Sequence, residues 1–242
     1  MKKITFLSVM LGLMVAFTQC DGKNGGGGNG NDIDTTGTGT GPGVDTRIKD
    51  GDGNVYTEVK IGEQTWLKEN LKTTKYNDGT PIANPTADIA WEESMSGAYC
   101  WYENKESNKN TYGALYNFPA AESGKICPKG WHVPFDTEWL MLLSKCEGEA
   151  NAGGQLKEAG TAHWTVGDGA TDEKGFTALP NGERKPVGTF ELMRSKATFW
   201  TSSPASYSPV DGVYYYMSAE VNSALKEEVN RRSGFAIRCI KD

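Results

Sequence analysis

Hydrophobic and polar positions divide the chain into three parts of different character. An apolar run, ITFLSVMLGLMVAF, follows Lys2 and Lys3 and ends shortly before Cys20. The segment after Cys20 is nearly free of apolar side chains, whereas apolar and polar positions alternate repeatedly in residues 48–242. The pattern therefore predicts a leader, a polar connecting segment and one folded domain at 48–242.

The domain begins with a pattern typical of a β-hairpin. In VYTEVKIGEQTWL, the residues Val55, Thr57, Val59 and Ile61 fall on one face of an extended chain. The preceding DGDGN favours a turn, and Gly62 favours a second turn before QTWL. We therefore predict paired strands at the start of the domain.

Helical spacing follows in the middle of the chain. Trp139, Leu142, Leu143 and Cys146 occur at i, i+3, i+4 and i+7, which places them on one face of a helix. This helix begins within ICPKGWHVPFDTEW, where Asp136 is the predicted N-cap. A second short helix is predicted in NAGGQLKEAG.

The rest of the domain combines a long irregular region with strands. Residues after Gly160 are rich in Gly, Asp and Thr through GERKPVGTF, and such a stretch indicates binding loops or a lid. Strands are predicted in ATFWTSS, GVYYYMSAEV and SGFAIRCIKD. Strands arranged around two short helices and a long loop region favour an α+β fold.

The leader has the features of an export signal. Its apolar run suits a signal peptide and is short for a membrane span. A single cysteine directly after the run is the residue that lipoprotein processing acylates. Phe17 and Gln19 depart from the usual bacterial lipobox, so an ordinary secretory signal is the alternative. We predict a signal peptide at 1–19 and a lipid on Cys20.

The segment at 20–47 is predicted to be a flexible tether. Its Gly-, Thr- and Asn-rich composition cannot bury enough apolar surface to offset the entropy of ordering. An acylated Cys20, a tether and a domain are the layout of a protein held near a membrane. The expected location is extracytoplasmic, anchored to the outer membrane, at the cell surface or on the periplasmic face.

Charge and cysteine content limit the kinds of partner, metal site and disulfide that the domain can have. A net charge of −6 disfavours nucleic acid as a partner. No pair of cysteines has CxxC spacing and the chain has only two histidines, so no metal site or cofactor is predicted. The domain cysteines are even in number and allow three disulfide pairings in an oxidising compartment. They are Cys100, Cys127, Cys146 and Cys239.

An acidic loop offers one further candidate site. In GDGATDE, the carboxylates of Asp168, Asp172 and Glu173 lie close together in sequence and could hold a cation. A solvated acidic loop is the favoured interpretation, because a charge cluster usually faces water. Cation binding in the loop from Asp168 to Glu173 stays open at this point.

Seven motifs together resemble one known family. They are GNVYTEVKIGEQTWLKENL, GAYCWYENKESNKNTYGALYNFPAA, CPKGWHVPFDTEW, GGQLKEAGTAHW, GFTALPNGER, FWTSS and SGFAIRCIKD. In this order they resemble a Fibrobacter succinogenes major paralogous domain, as found on lipoproteins of Bacteroidetes-type bacteria. GWHVPFDTEW and GFAIRCIKD also resemble the helix-opening and closing motifs of formylglycine-generating enzymes. The resemblance implies a C-type-lectin-like fold.

The resemblance does not extend to catalysis or to calcium-dependent sugar binding. No cysteine lies between Gly160 and Thr198, where this fold places a ligand site, so the copper-binding cysteine pair of those enzymes is missing. Leu179 stands where a calcium-dependent lectin has an acidic or amide residue. The chain is therefore expected not to be an enzyme. Cys127 is expected to bond Cys239 on the last strand, with Cys100 and Cys146 either paired or free.

A calcium-free binding surface is the remaining hypothesis. Aromatic and histidine rings near the expected loop region are candidates for ligand contacts, although rings of this kind also form cores. In a strand, Tyr214 and Tyr216 share one face and Tyr215 lies on the other. The predicted ligand-binding residues are His163, Trp164, Trp200, Tyr214 and Tyr216.

These features predict a lipid-anchored, non-catalytic binding module. Its expected ligand is a polysaccharide or another surface ligand, and its expected partners are the membrane, through Cys20, and a glycan or a surface protein. The alternative is a structural or tip subunit of a cell-surface protein assembly. Such a subunit would expose an apolar patch or a sheet edge instead of a ligand groove.

Overall fold

The computed structural model describes residues 47–167 and 169–242. The predicted signal peptide, the lipidation residue Cys20, all of the predicted tether except Arg47, and Asp168 lie outside the described residues. Within the described ranges, no helix combines the length and the apolar character that crossing a bilayer requires.

The described residues form short helices and small antiparallel sheets. The strands are β1 (Ile48–Lys49), β2 (Val55–Tyr56), β3 (Glu58–Ile61), β4 (Gln64–Leu67), β5 (Tyr99–Cys100), β6 (Leu115–Tyr116), β7 (Trp131–His132), β8 (Asn181–Arg184), β9 (Phe190–Met193), β10 (Lys196–Pro204), β11 (Asp211–Ser218), β12 (Ala224–Asn230) and β13 (Ile240–Lys241). The α-helices are α1 (Asp88–Glu92), α2 (Lys109–Tyr112), α3 (Phe118–Ala121), α4 (Asp136–Ser144) and α5 (Glu149–Leu156). This content confirms the α+β class.

A four-stranded sheet joins the two ends of the described chain. Its order is β3-β4-β13-β7, so the last strand lies between the N-terminal hairpin and the strand that leads into α4. Ile240 pairs with Trp66 on one side and with His132 on the other. The predicted hairpin is therefore confirmed. The predicted disulfide Cys127–Cys239 is also present, and it ties the region before α4 to β13.

The ends of the described chain meet at one cleft. This cleft has a volume of about 940 Å³ and is lined by Ile48 near the start and by Lys241 near the end. Ile48 pairs with Tyr56, and the ammonium of Lys241 lies 3.2 Å from the carboxylate of Glu58. Short β-pairings thus hold both ends on the same side of the domain.

A second, three-stranded sheet has the order β10-β11-β12. Its antiparallel register places Thr198 opposite Tyr216, and Tyr214 between Trp200 and Glu227. Residues directly opposite one another share a face of the sheet. Tyr214 and Tyr216 therefore lie on one face and Tyr215 on the other, as the strand alternation predicts.

Helix α4 confirms the helical spacing but begins differently from the prediction. Asp136 is the first helical residue, and the N-cap is Phe135. The Glu138 carboxylate accepts a hydrogen bond from the Phe135 backbone N–H at 2.8 Å, so it takes the capping role that was predicted for Asp136. The Asp136 carboxylate instead accepts the Tyr215 hydroxyl at 2.8 Å and pairs with Lys226 at 3.2 Å.

Three other predictions from the sequence are corrected. Helix α5 covers Glu149–Leu156 and ends before Lys157, which is earlier than predicted. The region after Gly160 is not irregular throughout, because β8 and β9 form a hairpin within it. Every residue of β8 is buried, and burial requires its backbone groups to be paired. Strand β12 was not predicted, because ALKEEVN is mostly polar and exposed.

Two large hydrophobic clusters contain most of the buried aromatic rings. In one, the Trp139 ring stacks on Tyr215 with centroids 4.9 Å apart, which fixes α4 against β11. In the other, the Trp200 indole N–H donates to the Tyr116 carbonyl at 2.7 Å, so a buried ring keeps its polar atom satisfied. The two clusters cover the two faces of the β10-β11-β12 sheet.

Candidate functional site

The predicted ligand-binding rings occupy two separate parts of the domain. Trp200, Tyr214 and Tyr216 lie together on one face of the β10-β11-β12 sheet. His163 and Trp164 lie in the loop after α5, and Trp164 belongs to the other hydrophobic cluster. The structure therefore does not bring the predicted residues into a single surface.

Three of these rings, Trp164, Trp200 and Tyr214, are buried core residues, and the Tyr214 ring stacks on Phe235 with centroids 4.3 Å apart. Trp200 is 0% exposed. Trp164 is also buried, and its indole N–H donates to the Ala178 carbonyl at 3.1 Å. Neither indole presents a face to a ligand in this arrangement. The physical reason is packing, because a large apolar ring gains more free energy inside the domain than at its surface.

Tyr214 lines a small polar pocket, which we call the Tyr214 pocket. It has a volume of about 300 Å³ and lies where β8 meets the β10-β11-β12 sheet. Its lining is charged and polar with an apolar floor. The lining residues are Glu183, Arg184, Lys185, Pro186, Lys196, Tyr214, Glu227, Val229, Ser233 and Phe235.

Strand pairing places the charged groups of this pocket next to one another. Tyr214 stands directly opposite Glu227 in the antiparallel register. Strand β8 is fixed against β10 because the Asn181 amide donates to Thr198 Oγ1 at 2.9 Å and accepts from the Thr198 backbone N–H at 3.1 Å. This contact brings Glu183, two residues further along β8, to the edge of the sheet.

Glu183 is a buried carboxylate held between two ammonium groups. Its side chain is 4% exposed, with Lys185 Nζ 2.5 Å from Oε1 and Lys196 Nζ 3.7 Å from Oε2. The hydrogen bond that Lys185 donates to Glu183 is the main reason that the pKa of Lys185 is raised above its ordinary value. A buried charge requires such partners, because unpaired ionised groups are costly to take out of water.

Tyr214 and Tyr216 share a second carboxylate. The Tyr214 hydroxyl donates to Glu227 Oε2 at 2.8 Å, and the Tyr216 hydroxyl donates to Oε1 at 3.0 Å. The rings stack with centroids 5.7 Å apart, and Lys196 Nζ lies 4.0 Å from the centroid of the Tyr216 ring. Burial, reinforced by Glu227, raises the pKa of both phenols, so they act as neutral hydrogen-bond donors.

The resolved pKa shifts in and beside the Tyr214 pocket, those of Lys185, Tyr214 and Tyr216, all point away from neutral pH. General acid–base catalysis instead needs a pKa near the working pH. Among the described residues, no group of histidines, cysteines and carboxylates has the arrangement of a metal site.

The acidic loop is held by internal hydrogen bonds in the part that the structure describes. The Asp172 carboxylate accepts from the Thr177 backbone N–H at 2.7 Å and from its hydroxyl at 2.6 Å. Glu173 pairs with Lys174 at 2.9 Å. Both carboxylates therefore stabilise the loop, while Asp168 lies outside the described residues.

The two remaining cysteines are free and buried. Cys100 and Cys146 do not pair with each other, which confirms one of the two alternatives left by the sequence. Burial raises the pKa of Cys100 to about 12 and that of Cys146 to about 11. Both thiols are therefore protonated and weakly nucleophilic at physiological pH.

Sequence reasoning missed the charged residues of the Tyr214 pocket. Glu183 lies in a region interpreted as a loop, and Glu227 lies in a strand that was not predicted. The strand alternation of ALKEEVN would have placed Leu225, Glu227 and Val229 on one face. Nothing in the sequence indicates that Glu183 meets Lys196, because that contact depends on packing between separate strands.

The structure gives the fold class of the domain, and comparison with known protein families gives its family. The domain is a mixed α+β unit with a charged pocket at the edge of a small sheet. Residues 59–241 match the model of the Fibrobacter succinogenes major domain, and the chain belongs to this family. Neither the curated proteins nor the solved structures contain a match.

Proposed function

We propose that the protein is a non-catalytic carbohydrate-binding module and that the Tyr214 pocket is its binding site. The observation that carries this proposal is the Glu227 carboxylate, which accepts hydrogen bonds from both tyrosine hydroxyls. Sugars combine neighbouring hydroxyls with apolar C–H faces. The fixed carboxylate and ammonium groups of the lining suit the hydroxyls, and the apolar side chains of Val229 and Phe235 suit the C–H face.

The size and charge of the pocket favour binding over catalysis. Its volume of about 300 Å³ is at the small end for ligand sites and suits a single sugar ring. Glu183 is already neutralised by Lys185 and Lys196, which limits its use as a base or nucleophile. This supports a module that recognises a ligand and leaves it unchanged.

A C-type-lectin-like arrangement and a lipid anchor complete the proposal. Strand β13 lies between β4 and β7, so the first and last parts of the described chain pair as that fold requires. The disulfide Cys127–Cys239 suits an oxidising, extracytoplasmic compartment. Acylation of Cys20 would hold the domain at the outer membrane, on the cell surface or the periplasmic face.

A glycan-array screen tests the proposal directly. The purified protein is screened in calcium and again in EDTA, and binding is expected to survive EDTA. Glu227→Gln should weaken binding about tenfold, because it removes the charge of a carboxylate in the pocket lining. Tyr216→Ala should also weaken binding, because it removes one of the two hydroxyls that position Glu227. Tyr207→Ala is the matched control, because this tyrosine is 96% exposed and lies outside the pocket. Binding unaffected by the pocket variants would refute the site.

One observation favours the alternative of an assembly subunit. Met95 and Val210 are largely exposed, and they line a groove of about 410 Å³ together with Arg231 and Arg232. Exposed apolar side chains rimmed by charges are typical of protein contacts. If no glycan binds, crosslinking from this groove in intact cells tests the alternative. An assembly subunit should form crosslinks to a protein partner there, and Met95→Glu should abolish them.

A further inference from the structure

We propose that a second pocket, built around Arg238, binds the carboxylate of a small organic acid. This Arg238 pocket has a volume of about 330 Å³. Lys68, Asn70, Thr111 and His163 line it beside Arg238. The proposal uses none of the residues of the Tyr214 pocket and stands independently of the proposed carbohydrate site.

Arg238 is a buried cation whose hydrogen-bonding capacity is only partly used. Its residue is 1% exposed, and its Nε and Nη2 groups donate to Asn70 Oδ1 at 3.1 and 2.6 Å. Nη1 donates to the Phe176 carbonyl. A guanidinium carries five N–H donors. Two of them therefore have no acceptor among the described residues, although buried donors are normally satisfied.

The charge of Arg238 has no carboxylate in direct contact, although Glu69 and Asp172 act on it from further away. None of the described carboxylates lies within ion-pair distance of it; the guanidinium is stabilised instead by aromatic faces, with Phe176 at 4.2 Å and Phe199 at 5.4 Å. Burial lowers the pKa of Arg238 to about 9, which reflects the cost of this desolvated charge. A buried arginine with spare donors and no carboxylate in direct contact can accept one from a ligand.

The walls of the pocket favour an anion of low charge. Lys68 adds an ammonium, whereas His163 is already bonded through Nδ1 to the Glu158 carboxylate at 2.8 Å. The acid in the lining, Glu69, is occupied by the Thr57 backbone N–H at 2.9 Å and hydroxyl at 2.8 Å. Arginine presents a planar fork that matches a carboxylate in two parallel hydrogen bonds. With Glu69 close by, a singly charged carboxylate fits better than a phosphate dianion.

A matched pair of sugars tests this inference. Binding of galacturonate and of galactose to the full chain is measured by calorimetry, because these molecules differ only at the carboxylate. Galacturonate should bind at least about tenfold more tightly, and Lys68→Met and Arg238→Lys should each reduce that preference. Circular dichroism checks the fold of Arg238→Lys, while Lys68→Met changes only an exposed side chain.

Further measurements distinguish the Arg238 pocket from the Tyr214 pocket, and a carboxylate ligand from a phosphate ligand. Glu227→Gln should leave the galacturonate preference intact, because it alters only the Tyr214 pocket; loss of the preference in this variant would overturn the assignment. Equal binding of both sugars, or a preference that survives Lys68→Met and a folded Arg238→Lys, would overturn it too. Inorganic phosphate that competes more strongly than galacturonate would refute the carboxylate class.

Discussion

The rings of Trp139 and Tyr215 stack almost parallel, at 12° and with centroids 4.9 Å apart. This pair joins the middle of α4 to the central strand β11. The Tyr215 hydroxyl also donates to Asp136, so the same tyrosine holds the first turn of the helix. One face of the sheet is thereby packed against α4, and the opposite face carries Tyr214 and Tyr216 with the second hydrophobic cluster and the charged pocket at its edge.

Trp139→Ala should therefore destabilise the domain strongly. Deleting a fully buried indole leaves a cavity against Tyr215, Phe176 and Trp66, and such changes cost about 3–5 kcal/mol. Urea unfolding measures the loss, with Tyr207→Ala as the exposed aromatic control. A cost within about 0.5 kcal/mol, as for surface substitutions, would contradict this packing.

Removing the disulfide should destabilise the domain without changing its fold. Cys127 and Cys239 are 112 residues apart, so their bond restricts a large loop of the unfolded chain. Replacing both by Ala is expected to lower the free energy of unfolding by about 3–5 kcal/mol. Denaturant titration of this variant, compared with Cys100→Ala, which removes a buried free thiol, measures the effect. An unchanged midpoint would refute the expectation.

The free thiols should be unreactive in the folded protein. Burial raises the pKa of Cys100 to about 12 and that of Cys146 to about 11, so the nucleophilic thiolate is scarce near neutral pH. A Cys20→Ser chain treated with a disulfide reagent such as DTNB should react only after denaturation. Rapid labelling of either cysteine in the native state would show that the surrounding cluster opens readily.

Stability should fall in acid partly through Asp52. Burial raises the pKa of this carboxyl, but hydrogen bonds from Thr74 and Lys75 outweigh that effect and lower it from 3.8. Because the folded pKa is depressed, the stabilisation is complete above the unfolded pKa and is lost as pH falls through the folded one. Thr74 donates its backbone N–H to Asp52 at 2.5 Å.

Asp52→Asn tests this dependence. The gap in unfolding free energy between wild type and variant should be largest above the ordinary pKa of 3.8 and should shrink as the pH falls through the lowered pKa of the folded protein. Glu63→Gln is the matched control, because that side chain is 91% exposed and its substitution should leave the pH profile unchanged. A gap that is constant across the acid range would mean that Asp52 contributes through shape and not through charge.

Local sequence patterns were sufficient to predict the N-terminal hairpin and helix α4. The alternation from Val55 to Ile61 identified the hairpin, and the spacing of Trp139, Leu142 and Leu143 identified α4. In both cases, neighbours in sequence decide which face is buried. The N-cap was misplaced by one residue, because Asp136 is drawn to Tyr215 and Lys226, and neither partner is close to it in sequence.

The candidate site depended on contacts that no local pattern contains. Proline and glycine around GER suggested a loop, yet Asn181 bonds to Thr198 and so makes this segment a buried strand. Composition also cannot separate a ring in the core, such as Trp200, from a ring beside a pocket, such as Tyr216. The pairing of Glu183 with Lys196 arises only when β8 packs against β10.

The shared cleft of Ile48 and Lys241 has a topological consequence. Because the described chain starts and finishes beside the same short strands, a brief peptide could join its ends into a ring with little distortion. The ring could then be opened elsewhere, for example near the exposed Tyr207, to give a circular permutant with the same contacts. The order in which the elements are synthesised is therefore separable from the architecture that they build.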